Sequence, residues 1–80
     1  MKAYRNLANA IIIQAVKDYK NRIGMLNYLL KTPEFNGKRI VEIKMEIDKI
    51  ESFFRSELYD EMTDISGEDV IKKVRKEVEQ

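Results

Sequence analysis

Residues typical of turns cluster in only two places in this sequence. The first cluster contains Pro33 and Gly37, and the second contains Ser66 and Gly67. Between these clusters apolar residues recur at spacings of three and four, and no segment alternates apolar and polar residues for long enough to form a strand. The pattern therefore predicts an all-α fold.

The two longest predicted helices cover about residues 4–30 and 38–52. Pro33 biases the residue before it away from helical dihedral angles, and Asn36-Gly37 then supplies the freedom to reverse the chain, so we expect an antiparallel hairpin. The second helix has an apolar seam with alternating spacings of three and four, which is typical of helices that pack together. The seam residues, which we interpret as candidates for an oligomer or partner interface, are Ile40, Ile43, Ile47, Ile50 and Phe54.

Two shorter helices, at about residues 54–63 and 67–78, are expected to complete a single domain of residues 1–80. Phe53 and Phe54 are adjacent and cannot both face inward on one straight helix, so we expect a bend there. Ser66 lies in an N-cap position, with acidic residues following it. Because so small a domain buries only about 60% of its unfolded surface, we expect self-association into a homo-oligomer to contribute to its stability.

Composition excludes several kinds of chemistry. The chain has neither cysteine nor histidine. It therefore lacks the side chains needed for thiolate catalysis, for a histidine general base and for the commonest zinc sites. We therefore expect a protein that is not an enzyme and has no cofactor or metal. The net charge is +1, which gives no overall attraction to nucleic acid. The apolar stretch 10–13 is too short for a signal peptide or a membrane span, so we expect a cytoplasmic protein without membrane contact.

Charge is nevertheless distributed unevenly along the chain. Four carboxylates in and just after the third predicted helix are spaced three, four and seven residues from the first, which places them on one face if the helix continues. They form a candidate acidic patch of Glu57, Asp60, Glu61 and Asp64. This patch is compatible with a divalent-cation site, with a docking surface that mimics a polyanion, or with an ordinary solvated face. The first helix is basic, but its cations are too dispersed for a typical nucleic-acid interface, so nucleic-acid binding is only a second alternative function.

A few cations and aromatic residues are candidates for contacts to a ligand or partner. Arg55 lies in the acidic stretch four residues before Tyr59, so its guanidinium could be held for a carboxylate or a phosphate. With Lys17 and Lys20 of the first helix it could bind a small anionic ligand, such as a nucleotide signal, between subunits. The simpler interpretation is that Arg55 pairs with a nearby glutamate such as Glu51 while the phenylalanines fill the core.

Three segments resemble small proteins encoded by phages, prophages and integrative elements of Gram-positive bacteria. The segments are Ala10-Ile11-Ile12-Ile13-Gln14-Ala15-Val16-Lys17-Asp18-Tyr19, Phe53-Phe54-Arg55-Ser56-Glu57 and Ser66-Gly67-Glu68. The resemblance implies an accessory factor in a bacterial host cell that binds or inhibits a host or phage protein. Our leading hypothesis is therefore a self-associating protein-interaction module, and the first alternative is a helical oligomer that binds a small anion.

Overall fold

The computed structural model describes residues 2–78, and their side chains from residue 6 onward. Four helices follow one another, α1 Lys2–Leu29, α2 Pro33–Phe54, α3 Glu57–Met62 and α4 Gly67–Val78, and the described residues contain no strand. The two long helices pack together as a hairpin, and α4 lies against both. The prediction of an all-α fold with a helical hairpin and short C-terminal helices is confirmed. None of the described helices combines the length and apolar character needed to cross a membrane.

The hairpin turns earlier than the sequence predicted. After α1, the amide of Lys31 donates to the carbonyl of Tyr28 and the amide of Thr32 donates to that of Leu29. Pro33 then occupies the start of α2. Backbone N–H groups in the first turn of a helix have no acceptor within the helix, so the N–H that proline lacks is not needed there. Asn36 is a kink inside α2 (φ −124°, ψ 15°), and its side-chain amide donates to the Thr32 hydroxyl at 2.7 Å. Asn36-Gly37 is therefore part of α2 and does not form the reversal.

The core lies where α1, α2 and α4 meet, and α3 contributes Tyr59 to it. It is formed by Tyr19, Ile23, Leu29, Ile40, Ile43, Ile47, Phe54, Tyr59, Ile71 and Val74. α2 continues through both phenylalanines and ends at Phe54, so the chain bends after the pair and before α3. Phe54 is fully buried and Phe53 is half-buried. The rings of Phe53, Phe54 and Tyr59 lie 5.4–5.7 Å apart, a spacing typical of favourable aromatic pairs.

The seam on α2 is an internal surface. Ile40, Ile43, Ile47 and Phe54 are buried in the chain's own core, and Ile50 is half-buried against it. The interpretation of these residues as an interface is therefore corrected, because α1 and α4 already cover the apolar surface that a partner would need. Any partner must use other side chains.

Gly67 allows α4 to begin directly against the end of α2. A Cβ atom at this position would lie 1.8 Å from the carbonyl oxygen of Phe54 and 2.7 Å from its carbonyl carbon. Both are backbone atoms, which cannot rotate away. Ser66 precedes this contact and caps α4 as predicted, since its hydroxyl accepts a hydrogen bond from the amide of Asp69 at 3.3 Å.

We expect Gly67→Ala to lower the free energy of unfolding by about 3 kcal/mol, because α4 must move away from α2 to make room for the methyl group. Gly37→Ala is the matched control, since no atom lies within 4 Å of its added Cβ. Gly37 lies within a helix, so alanine there should stabilise the protein by about 0.5–1 kcal/mol. Urea denaturation followed by circular dichroism measures both. Equal effects of the two substitutions would contradict the close approach of α4 to α2.

Candidate functional site

A buried carboxylate joins the three main helices. Glu51 of α2 is 7% exposed, and one of its oxygens, Oε2, accepts hydrogen bonds from α1 and from α4. The Tyr19 hydroxyl donates to it at 2.5 Å, and the Arg75 guanidinium donates through Nη2 at 2.5 Å and Nε at 3.1 Å. Because a buried carboxylate is costly without such partners, these bonds fix where α4 sits on the hairpin.

A second arginine connects this carboxylate to the surface. The Arg55 guanidinium lies 3.5 Å from the other Glu51 oxygen, and its Nε donates to Glu68 at 2.5 Å. The expected pairing of Arg55 with Glu51 is thus present, and Glu68 adds a bridge to the first turn of α4. We call Tyr19, Glu51, Arg55, Glu68 and Arg75 the Glu51 network. It contains two positive and two negative charges, so it has no excess charge with which to attract a ligand.

The protonation states in the Glu51 network suit a structural role. Burial acts to raise the pKa of Glu51, but hydrogen bonds from Tyr19 and Arg75 and the positive charges of both arginines outweigh it and hold the pKa below the usual 4.5. Burial, together with the hydrogen bond and the negative charge of Glu51, raises the pKa of Tyr19. At neutral pH the carboxylate is therefore ionised and fully engaged, and the phenol is protonated. Neither group is placed to exchange protons with a substrate.

The sequence pattern did not reveal Glu51 as a buried residue. At about 100° of rotation per residue, Ile50 and Glu51 lie about 50° to either side of the mean direction of the buried seam residues. Hydrophobicity favours Ile50 as the inward residue, yet Ile50 is half-buried and Glu51 is buried. α4 packs on the Glu51 side and brings Arg75 with it. The only signal available beforehand was a lone carboxylate at the edge of an apolar face.

We expect Glu51→Gln to lower the free energy of unfolding by about 2 kcal/mol at neutral pH, because charge-assisted hydrogen bonds from Tyr19 and Arg75 are lost. The folded-state pKa of Glu51 lies below its unfolded value, so its stabilising effect is present above about pH 4.5 and disappears as the pH falls through the folded pKa. The difference between the parent protein and the variant should therefore shrink in acid.

Urea denaturation from pH 7 down to pH 3 measures this difference. Glu77→Gln makes the same chemical change in an exposed pair, Lys20–Glu77 at 3.1 Å, and should cost no more than about 0.5 kcal/mol. A Glu51→Gln cost that stays constant with pH would show that the carboxylate charge does not stabilise the fold.

Tyr59 is a core residue and not a surface contact. It is fully buried, and its hydroxyl has no hydrogen-bond partner among the described side chains. Burial, with a smaller contribution from the charge of Asp60, raises its pKa. The prediction that Tyr59 contacts a ligand or partner is therefore wrong, because the ring fills the space between α3 and the phenylalanines at the end of α2.

We expect Tyr59→Phe to stabilise the protein by about 1 kcal/mol, because it removes a buried hydroxyl that makes no hydrogen bond. Tyr19→Phe is the matched substitution. It removes a hydroxyl that donates to a carboxylate, so it should destabilise the protein by about 1.5–3 kcal/mol. Thermal and urea denaturation of both variants give the comparison. Destabilisation by Tyr59→Phe would mean that the hydroxyl has a polar partner.

The remaining candidate cations do not converge on one site. Arg55 is bound to Glu68 at the start of α4, whereas Lys20 is bound to Glu77 near its end, nine residues or about 14 Å farther along the helix. Lys17 is exposed on α1. The structure therefore offers no pocket within one chain where these three side chains meet an anion.

The acidic patch is exposed and spread over two kinds of structure. Glu57, Asp60 and Glu61 lie on α3, whereas Asp64 follows the end of the helix. No group of three acidic side chains in the described part of the chain is arranged to hold a metal ion. The geometry thus gives no support to a cation site, and it leaves a docking surface and a solvated face as interpretations of the patch.

Large apolar side chains are exposed around the hairpin turn. Phe35 is 83% exposed, Tyr28 is 70% exposed and Leu30 is 46% exposed. We call these three residues the tip surface. Beside Phe35 lies a shallow cleft of about 350 Å³, whose lining includes Lys38 and Arg39. The sequence analysis did not identify these residues as an exposed surface, because periodicity identifies helix faces and does not show which apolar residues near a turn stay uncovered.

Comparison with known proteins adds no assignment. No protein-family model, no curated protein and no solved structure matches this chain.

Proposed function

We propose that this chain is a non-enzymatic protein-interaction module of the cytoplasm, which self-associates and binds a protein partner through the tip surface. The observation that carries the proposal is the exposure of Phe35, 83% of whose surface faces solvent. Together with Tyr28 and Leu30 it places three large apolar side chains within eight residues of one another. Exposed apolar side chains that form one contiguous patch are typical of surfaces that bind another protein.

The charges around the tip surface indicate what kind of partner fits. Lys31 and Lys38 are exposed beside the apolar residues, whereas Arg39 is paired with Glu42 at 3.3 Å. A partner with an apolar pocket for Phe35 and carboxylates at its rim would match this surface. Buried aromatic anchors contribute much of the binding energy in such interfaces, which makes Phe35 the residue to test.

The buried polar groups support a binding function more than a catalytic one. The polar groups of the Glu51 network satisfy one another, and the cations suggested for a small anion are separated. The interaction module is ranked first because of the exposed tip surface, and a nucleotide-binding oligomer and nucleic-acid binding remain the alternatives. A phage or prophage setting, with a host or phage protein as the partner, rests on the sequence resemblance of residues 10–19, 53–57 and 66–68.

We expect a photo-crosslinking phenylalanine analogue at position 35 to form a discrete covalent adduct with one protein in Gram-positive cells that express the chain. The analogue keeps the aromatic anchor, so binding should persist while the ring is captured by the pocket that holds it. The same analogue at position 45 is the control, because Met45 is 58% exposed on α2 and lies outside the tip surface.

Adducts are detected by immunoblotting and identified by mass spectrometry. Untagged protein carrying Phe35→Glu should compete poorly for the adduct, and untagged parent protein should compete well. Identical adducts from positions 35 and 45, or none from either, would contradict a binding role for the tip surface.

A further inference from the structure

An apolar groove with a basic rim runs between α1 and α4. Its floor is formed by Val16, Val70 and Val74, and its rim carries Lys20 and Lys73 together with Glu77. The groove measures about 230 Å³. Val16 and Val70 are only half-buried, so the floor still exposes apolar surface. We call this feature the α1/α4 groove.

The same chain carries a segment with complementary chemistry. Leu58 of α3 is 55% exposed and lies next to Glu57 and one turn from Glu61. Residues 57–64 contain four carboxylates and no lysine or arginine. The outer side of α3 is therefore an acidic helix turn with one protruding leucine, which is what a small apolar groove with a net positive rim would bind.

α3 cannot occupy the groove of its own chain. Its inner side is fixed by Tyr59, which is fully buried against Phe53 and Phe54 at the end of α2. Moving α3 would expose this aromatic cluster. The exposed outer side is thus free to meet only another molecule.

We propose that the α1/α4 groove binds α3 of a second copy of this chain, with Leu58 on the valine floor and Glu57 and Glu61 facing Lys20 and Lys73. This inference rests on the self-association included in the proposed function and assigns it a surface. Each copy has one groove and one α3, so a reciprocal exchange closes a two-fold dimer. The existing Lys20–Glu77 pair is no obstacle, since both side chains are about half exposed and such pairs contribute little.

Charge reversal on the full-length chain tests the arrangement without disturbing the core, because all the altered residues are exposed. Sedimentation equilibrium over a wide concentration range should give a mass near twice 9.5 kDa for the parent protein at low salt. Lys73→Glu and Glu61→Lys should each weaken dimerisation at least about tenfold, because every homodimer then contains two like-charge contacts. Leu58→Glu should abolish it.

An equimolar mixture of the Lys73→Glu and Glu61→Lys variants is the decisive sample. In their heterodimer both contacts again join opposite charges, so dimerisation should return to within about threefold of the parent value. Lys49→Glu, an equal charge change on α2 outside both surfaces, should leave the dimer unchanged. A monomeric parent protein, a dimer insensitive to the reversals, or a mixture as weak as the single variants would overturn the inference.

The outcome is separable from the test of the tip surface. Phe35→Glu should not change the dimer mass, because Phe35 is at the hairpin turn. A parent dimer that responds to charge reversal but gives no adduct at position 35 overturns only partner binding by the tip. A monomer that still gives the adduct overturns self-association and the docking of α3, and it leaves partner binding by the tip standing.

Discussion

The position of α4 on the hairpin depends on the buried Glu51 carboxylate. One oxygen of Glu51 accepts hydrogen bonds from Tyr19 of α1 and Arg75 of α4, so three helices must be in register for the carboxylate to be satisfied. Replacing a buried ion pair by well-packed apolar residues is often neutral or stabilising. The contribution of Glu51 is therefore better understood as selecting one packing of α4, since a misplaced α4 would leave a buried charge without its partner.

The beginning of α4 is fixed by a different constraint. Gly67 allows the helix to pack against the backbone of Phe54. The residues that follow these two, Glu68 and Arg55, form an ion pair across the same junction. A steric contact and an electrostatic one thus act at adjacent positions. Arg75 is bound about two turns farther along, so α4 is held at two points.

The sequence predicted those features that depend on local preferences. Helical spacing, the Ser66 cap and the adjacent phenylalanines were sufficient to predict the helices, the hairpin and a break close to Phe54, although α2 extends two residues beyond its predicted end. These local preferences were insufficient wherever tertiary contacts determine which of two similar positions is buried or forms the turn. Ile50 and Glu51 flank the seam symmetrically, and only the side on which α4 packs determines which one is buried. Likewise, Asn36-Gly37 is a plausible turn, but Pro33 starts α2 earlier and the Asn36 side chain bonds back to Thr32.

The two proposed surfaces have a joint consequence for binding. The α1/α4 groove includes Val16, whereas the tip surface begins at Tyr28, twelve residues or about 18 Å farther along α1. A dimer joined through α3 and the groove therefore leaves both tips uncovered and presents two copies of Phe35. When such a dimer binds a partner that is itself dimeric, the first tip surface that binds holds the second one close to its site. The effective concentration of the second tip surface then depends on the spacing between the two tips. In a dimer of this proposed kind, the Glu51 network, which positions α4 within one chain, also influences the distance between the two tip surfaces.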